Sequence, residues 1–367
     1  MRGPAVRPIV VAAGGTGGHL FTAEALAAEL VRRGHRVALM TDKRGVAMSA
    51  FPAGEVFALR GAGIAGRGVL RAGSAALALA AGAVQARVIL ARLQAAAVVG
   101  FGGYPSVAPV LASRTLRPRP VIVLHEQNAV LGRANRQLAR FADRLALGMA
   151  DTRQVPAGIK AAYTGNPVRP AVLALAGQAY AAPAPDAPVR LLVTGGSQGA
   201  RVFSDAVPAA VALLPPALRG RLHVTQQCRT EDLARVRAAY AAAGVAAELS
   251  SFFPDLPARL ADTHLMIGRA GASTVAELCV IGRPALLIPL PGAIDGHQAF
   301  NAAASGAIVL DQADAQDPAV LAAAIVSALA DPAPLAAAIA SHGRPDAAAR
   351  LADLVEATVQ QTLGTRV

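Results

Sequence analysis

Three short glycine-rich stretches each follow an apolar run: Gly14-Gly15-Thr16-Gly17-Gly18, Gly100-Phe101-Gly102-Gly103-Tyr104 and Gly195-Gly196-Ser197-Gln198-Gly199. Glycine lets backbone N–H groups approach an anion closely, and a helix that starts just after the turn adds the positive end of its dipole. Each stretch is therefore a candidate phosphate cradle, although a tight turn without a ligand has the same appearance. None carries the Gly-Lys-Ser/Thr of a Walker A loop, which argues against ATP hydrolysis of that type. Counted from Gly15, the dinucleotide fingerprint is met at Gly17, but Leu20 occupies the third glycine position. Asp42 does follow the second apolar run, where a ribose carboxylate would lie, so a nicotinamide reading stays open on partial spacing.

Polar residues cluster next to these turns. His19 follows the first, where a neutral imidazole could take a proton from an attacking hydroxyl or could be structural. His125-Glu126-Gln127-Asn128 ends a strand-like run with four polar side chains that a core would not accept without partners, which places them at a cleft. Arg269 to Glu277 joins a strand to a helix, with backbone donors near Ala272 and Ser273 and with Glu277 able to accept two ribose hydroxyls. The plain alternative makes Thr274 a helix cap and Glu277 a first-turn dipole partner. Asp295-Gly296-His297-Gln298 opens a further helix, with groups suited to sugar hydroxyls or with Asp295 as a simple cap.

The elements that must carry these residues alternate between strand and helix. Ile9–Ala13 reads as a buried strand, Phe21–Arg33 as a helix stopped by Gly34, then strands follow at 36–41, 95–100, 121–124 and 144–147. Such alternation predicts a parallel sheet with helices on its faces. The pattern restarts with strand 190–194, a helix from Ala200, strand 222–226, helix 231–243, strand 265–268, helix 274–281, strand 285–289 and helix 297–304. The boundary falls near Arg169, and the Pro-rich stretch 181–188 suits an interdomain connection. The last segment, 346–363, carries Leu351, Leu354, Val355 and Val359 on one helical face that must dock, here expected on the first domain.

Composition agrees with this picture. The 367 residues exceed one typical core, and 54% apolar against 16% charged residues exclude a disordered chain. With only 4% aromatics and no Trp, the cores are built from Ala, Val and Leu, as helices on parallel strands require. A formal charge of +12 suits an anionic surface or substrate, but the basic residues are scattered and no aromatic-interleaved basic run marks a nucleic-acid groove. Cys228 and Cys279 lie far apart, which supports neither a disulfide framework nor a zinc site and fits a reducing cytosol. The apolar run after Arg7 meets glycines too soon for a signal peptide, and the charge-free stretch 93–113 is broken by glycines and prolines, so no spanning helix is expected.

Taken in order, Gly14-Gly15-Thr16-Gly17-Gly18-His19, Gly102-Gly103-Tyr104, His125-Glu126-Gln127-Asn128, Gly165-Asn166-Pro167-Val168-Arg169, Gly195-Gly196-Ser197-Gln198-Gly199-Ala200 and the Glu277 region closely resemble the bacterial MurG family. These are the N-acetylglucosaminyltransferases that form lipid II in peptidoglycan synthesis, and the match runs nearly end to end. The resemblance implies an α/β GT-B fold, with two Rossmann-like parallel-sheet domains facing across a cleft. Residues 1–168 would be the acceptor and membrane side, 169–344 the UDP-GlcNAc-binding domain, and a final helix at 345–367 would pack back on the first. It implies inverting transfer of GlcNAc from UDP-GlcNAc to the 4-hydroxyl of MurNAc on undecaprenyl-diphosphate-MurNAc-pentapeptide, lipid I.

By the same resemblance Glu277 is the ribose ligand, Phe253 meets the uracil through its backbone, and Ser197 with its loop meets the donor diphosphate. Ala272, Ser273, Thr274, Val275, Ala276, Gln298, Asn128 and Arg169 are further donor contacts, Thr16, Gly17 and Gly18 border the reacting sugar, and His19 is the candidate base. No cofactor or metal is implied, and no Asp-x-Asp motif occurs. Peripheral attachment to the cytoplasmic face of the inner membrane and partners among other cell-wall synthesis proteins are implied too. Val69, Leu70, Leu77 and Leu79 among Arg67, Arg71 and Arg87 could form the interfacial patch for anionic lipid or could pack in a core. Two stretches depart from the family pattern: Thr225-Gln226-Gln227-Cys228-Arg229 stands where His-Gln, a small residue and Gly are common. His297 stands where some relatives carry glutamine, so only Gln298 is carried over.

Overall fold

The computed structural model describes residues 7–14, 17–42, 51–52, 54–59, 69–196 and 199–364, without the side chains of 69–76 and 363. The chain divides into two compact units, 1–169 with 346–367, and 170–345.

In the first unit the described strands are β1 (Ile9–Ala12), β2 (Val37–Thr41), β3 (Glu55–Ala58), β4 (Ala97–Gly100), β5 (Val121–Glu126), β6 (Arg144–Leu147) and β7 (Ala161–Tyr163). They pair in parallel in the order β3-β2-β1-β4-β5-β6-β7. β1, β4 and β5 are buried along their whole length, which is why β1, β4 and the 121–124 part of β5 read as apolar runs. The order reverses between β1 and β4, so the carboxyl ends of these two strands form the crevice where open α/β sheets take ligands.

One face of this sheet is covered by helix Gly17–Arg32, through Leu20, Ala23, Leu26, Ala27 and Leu30. The C-terminal helix Ala347–Gly364 joins the same core through Leu351, Ala352 and Val355, with Leu354 and Val359 at its margin. The expected stripe thus docks on this unit. Ionic contacts reinforce it: Arg33 donates to Asp353 (2.6 Å), Glu356 (2.8 Å) and the Ala349 carbonyl (3.1 Å), and His35 Nε2 lies 2.7 Å from Glu356. Helix Val69–Leu93 packs on the opposite face through Ala86, Leu90 and Leu93, with Leu79 partly buried against them.

The second unit holds β8 (Val189–Thr194), β9 (Leu222–Gln227), β10 (Ala246–Ser250), β11 (Leu265–Gly268), β12 (Ala285–Leu287) and β13 (Ile308–Val309). The order is β10-β9-β8-β11-β12-β13, again all parallel, with its reversal between β8 and β11. Phe203, Val207 and Val211 of helix Arg201–Ala212, Tyr240 of helix Leu233–Ala242 and Leu321 and Ile325 of helix Pro318–Ala330 fill one face.

Several expectations shift. Helix Gly17–Arg32 begins four residues before Phe21, so Gly17, Gly18 and His19 form its first turn rather than a loop ahead of it. β5 runs on through His125 and Glu126, because both side chains find internal partners. The Pro-rich stretch 181–188 lies inside the second unit and is not the connection. Arg221 pins it there, donating to the Ala184 and Ala187 carbonyls at 2.7 Å each. Among the described residues no single helix is long and apolar enough to cross a membrane.

Candidate functional site

In the first unit the residues singled out by sequence gather at the carboxyl ends of β1, β4 and β5. The single O–H of Ser106 lies between the Ala12 carbonyl (2.9 Å) and the Gly102 carbonyl (2.8 Å), linking the second glycine turn to the end of β1. A Cβ built on Gly103 would lie 3.9 Å from His19 Nδ1 and Cε1, so the His19 ring rests against this turn. Gly18 and His19 are half-buried, while Thr16 lies outside the described residues.

The His125-Glu126-Gln127-Asn128 segment is not an open cleft wall. His125, Glu126 and Gln127 are buried and only Asn128 is partly exposed. His125 Nε2 lies 3.1 Å from the Gly165 carbonyl, and its ring meets that of Phe101 with centroids 5.2 Å apart. Burial holds the imidazole down to about 4, against the raising influence of the Gly165 bond and Glu126, with His19 adding to the depression. It is therefore neutral at pH 7.

The Glu126 carboxylate collects four N–H donors: Asn128 N (2.9 Å) and Nδ2 (3.0 Å) on one oxygen, Gly132 N (2.8 Å) and Asn135 Nδ2 (2.9 Å) on the other. Asn135 also donates to the His125 carbonyl at 3.0 Å, and its amide backs the Gly102 turn at 3.1 Å from a Cβ built there. Asn135 carried no sequence signal, since it sits in a short helix, Arg133–Leu138, with no motif of its own. Asn166 Nδ2 donates to the Gln127 carbonyl (2.9 Å), which draws the Gly165-Asn166-Pro167 stretch under β5 just ahead of Arg169. The Arg169 guanidinium lies over the Phe21 ring at 4.6 Å. Glu24 is raised by burial, with Arg169 opposing the shift.

In the second unit four loops meet at the carboxyl end of the sheet. The loop after β8 folds back at Gly195, where any Cβ would overlap the Ala200 backbone nitrogen, and Gly199 N closes it on the Gly196 carbonyl at 3.0 Å. Ser197 lies outside the described residues. Helix Arg201–Ala212 starts after Ala200, which as N-cap makes no side-chain cap bond.

After β11, helix Ala272–Ile281 begins two residues earlier than expected and is capped by Gly271, not by Thr274. Its first two turns therefore contain Ala272, Ser273, Thr274, Val275, Ala276 and Glu277, with Glu277 buried. Two side chains brace this loop, Asn301, which no motif marked, and Arg269. Asn301 Nδ2 donates to the Ala270 carbonyl (3.0 Å). Arg269 is buried, lies over the Phe203 ring at 5.0 Å and donates to the Ile288 and Pro289 carbonyls (3.0 Å each) and to Gln312 (2.6 Å).

Gln298, on helix His297–Ala303, accepts from Leu290 N through Oε1 at 3.0 Å, which leaves Nε2 as the side it presents. Asp295 and Gly296 before it both adopt left-handed backbone (φ 55° and 65°). After β10, Phe253 is buried beneath the Arg259 guanidinium, 4.4 Å from its ring, while Phe252 is exposed. Cys228 and Cys279 are both buried as free thiols, and burial pushes Cys279 up to about 12. Burial raises the Cys228 thiol as well.

Residues 9–147 match the glycosyltransferase family 28 N-terminal domain, and residues 190–351 the glycosyltransferase family 28 C-terminal domain. Two doubly wound parallel sheets with these domains make the chain a glycosyltransferase of the GT-B fold. A Granulibacter bethesdensis protein named UDP-N-acetylglucosamine--N-acetylmuramyl-(pentapeptide) pyrophosphoryl-undecaprenol N-acetylglucosamine transferase is 57% identical over 99% of this chain and 96% of its own length. Its namesake in Acidiphilium cryptum is 52% identical over 98% of this chain and 99% of its own. The chain belongs to the MurG family. The crystal structure of Acinetobacter baumannii MurG is similar with a TM-score of 0.74 at 27% identity, covering 95% of this chain and 98% of that one. A UDP-GlcNAc 2-epimerase from Neisseria meningitidis, at 10% identity and a TM-score of 0.67, shares the fold.

Proposed function

We propose that this enzyme transfers GlcNAc from UDP-GlcNAc to the MurNAc 4-hydroxyl of undecaprenyl-diphosphate-MurNAc-pentapeptide, with inversion, releasing UDP and lipid II. The observation that carries this reading is the 57% identity to the Granulibacter bethesdensis transferase along 99% of the chain.

In this reading the second unit holds the donor. Glu277 accepts the ribose hydroxyls, the backbone at Phe253 meets the uracil, and the Ser197 loop with the uncapped start of helix Arg201–Ala212 receives the diphosphate. N–H groups of the Ala272–Ala276 turn and Nε2 of Gln298 supply donors to the nucleotide and sugar. Asn128 and Arg169 are further donor contacts, and Thr16, Gly17 and Gly18 border the reacting sugar. A His19 nitrogen takes the proton of the 4-hydroxyl while its oxygen attacks the anomeric carbon. The bond from that carbon to the β-phosphate oxygen breaks, and its electron pair leaves with UDP. N–H donors, a helix terminus and the Arg169 charge stabilise the departing diphosphate.

Membrane attachment at the cytoplasmic face is read from helix Val69–Leu93. Leu77, Val84 and Val88 are 75%, 64% and 63% exposed, and with Ala81 they form one stripe beside Arg87. An apolar stripe with flanking cations suits an anionic lipid surface, to which the net charge of +12 also draws the chain. Leu79 belongs to the core instead, and Arg67 and the side chains of Val69, Leu70 and Arg71 lie outside the described residues.

The test is a purified protein given UDP-GlcNAc and a short-chain lipid I analogue. One GlcNAc added per UDP released supports the reading; inactivity on this acceptor with transfer to diacylglycerol refutes it. Glu277→Ala should sharply weaken donor binding, whereas His19→Ala should lower turnover with donor affinity largely kept. Unchanged turnover in the His19 variant removes it as the base.

A further inference from the structure

The stretch Thr225 to Arg229 departs from the family pattern and takes no part in the reaction as described, yet it ends the strand that lies between the two nucleotide loops. β9 pairs with β8 on one side and with β10 on the other, and Gln227 is its last residue. Its side chain is 8% exposed and both ends of its amide are engaged. Oε1 accepts from Thr194 Oγ1 at 2.9 Å, the residue directly before the Gly195–Gly199 loop. Nε2 donates to the Ser251 carbonyl at 3.2 Å, directly before Phe252 and Phe253. Thr194 Oγ1 in turn accepts from Gly196 N at 3.4 Å.

A single hydrogen-bonded chain therefore runs from the backbone of one loop, through Thr194 and Gln227, to the backbone of the other. The central Thr194–Gln227 bond is buried, so water does not compete for it, and the two outer bonds are partly buried. The end of β9 also supports each loop separately. Cys228 N donates to the Ser250 carbonyl at 2.9 Å, and a Cβ built on Gly199 would come within 3.3 Å of Arg229 Cγ. Gln226, by contrast, faces the core, donating to the Phe203 carbonyl at 3.1 Å and accepting from Tyr240.

We infer that Gln227 is a positioning residue for the donor nucleotide, setting the distance between the loop that meets the base and the loop that meets the diphosphate. The inference rests on the donor assignment proposed above. A strut between two subsites matters only to a ligand that spans both, because only such a ligand gains from their preset spacing.

The experiment measures uridine, UDP and UDP-GlcNAc by competition against a fluorescent UDP-GlcNAc analogue, in the wild type, Gln227→Ala, Thr194→Val and the double variant. Loss of the buried Thr194–Gln227 bond, with or without the partly buried bond to Ser251, should weaken UDP and UDP-GlcNAc about tenfold. Uridine should weaken less than about twofold, since it occupies one subsite only. The KM for the lipid I analogue and kcat at saturating donor should stay at wild-type values. Thr194→Val keeps the shape of the side chain and should show the same selective loss, which carries the test if Gln227→Ala folds poorly. The double variant should lose no more than Gln227→Ala alone, because both act on one chain of bonds. Equal weakening of uridine and UDP, or a change confined to kcat or to the acceptor KM, overturns the inference while the donor assignment stands. A wild type that binds no UDP-GlcNAc overturns both.

Discussion

Glu126→Gln tests whether the buried carboxylate organises the end of β5. Both Glu126 oxygens accept two N–H bonds each, at 2.8 to 3.0 Å, and the side chain is 3% exposed. Whichever oxygen becomes the amide nitrogen, two donors then face a donor. Hydrogen bonds to a charged group contribute roughly 1.5 to 3 kcal/mol each, so two lost bonds cost at least about 3 kcal/mol. In a unit of this size each kcal/mol lowers Tm by about 2–4 °C, which predicts a fall of roughly 6–12 °C. The measurement is thermal unfolding at pH 7 by calorimetry, with a urea midpoint as a second reading. Where Oε1 becomes the amide nitrogen, the two lost bonds are those from Asn128 N and Nδ2, and donor KM should rise as well. A Tm within about 2 °C of wild type would show that the four bonds are replaceable and refute the reasoning.

Three further outcomes follow from single features. Gly195→Ala should abolish UDP-GlcNAc binding in a titration, because its Cβ overlaps the Ala200 nitrogen and reopens the loop; a normal Kd would contradict this. His125 is held down to about 4 by burial, so the unfolded state binds more protons between that value and its ordinary 6.5. Its stabilisation is complete above pH 6.5 and declines as pH falls toward 4, and His125→Gln should remove that slope from a urea series. Glu29 is held down to about 2, first by its hydrogen bond from Arg32 and also by Arg33, so its contribution is present above about pH 4.5 and lost as pH falls toward 2. Glu29→Gln should therefore be less stable than wild type at pH 7 and equal to it near pH 2; a difference that persists at low pH would assign the effect to packing.

Much of this protein could be read from residue order alone, and for a physical reason. Strands buried on both faces are largely apolar, so β1, β4, β11 and most of β5 and β8 announced themselves, and glycines marked the turns after β1, β4 and β8. The stripe of Leu351, Val355 and Val359 required a docking surface, because a helix with one apolar face cannot leave it in water. The edge strands β3, β7, β10 and β13 escaped, being short and partly exposed, so burial imposes no apolar run on them.

Tertiary structure alone decided which polar residues serve each other. Asn135 reaches Glu126 across nine residues, Asn301 reaches Ala270 across thirty-one and Gln227 joins loops thirty-three residues before it and twenty-four after it. Hydrogen bonds between distant segments leave no period in a sequence, because the spacing between partners is set by the order of strands in the sheet. Hence His125 and Glu126 looked like residues for an open cleft until β5 was seen to carry them inside, where their partners wait.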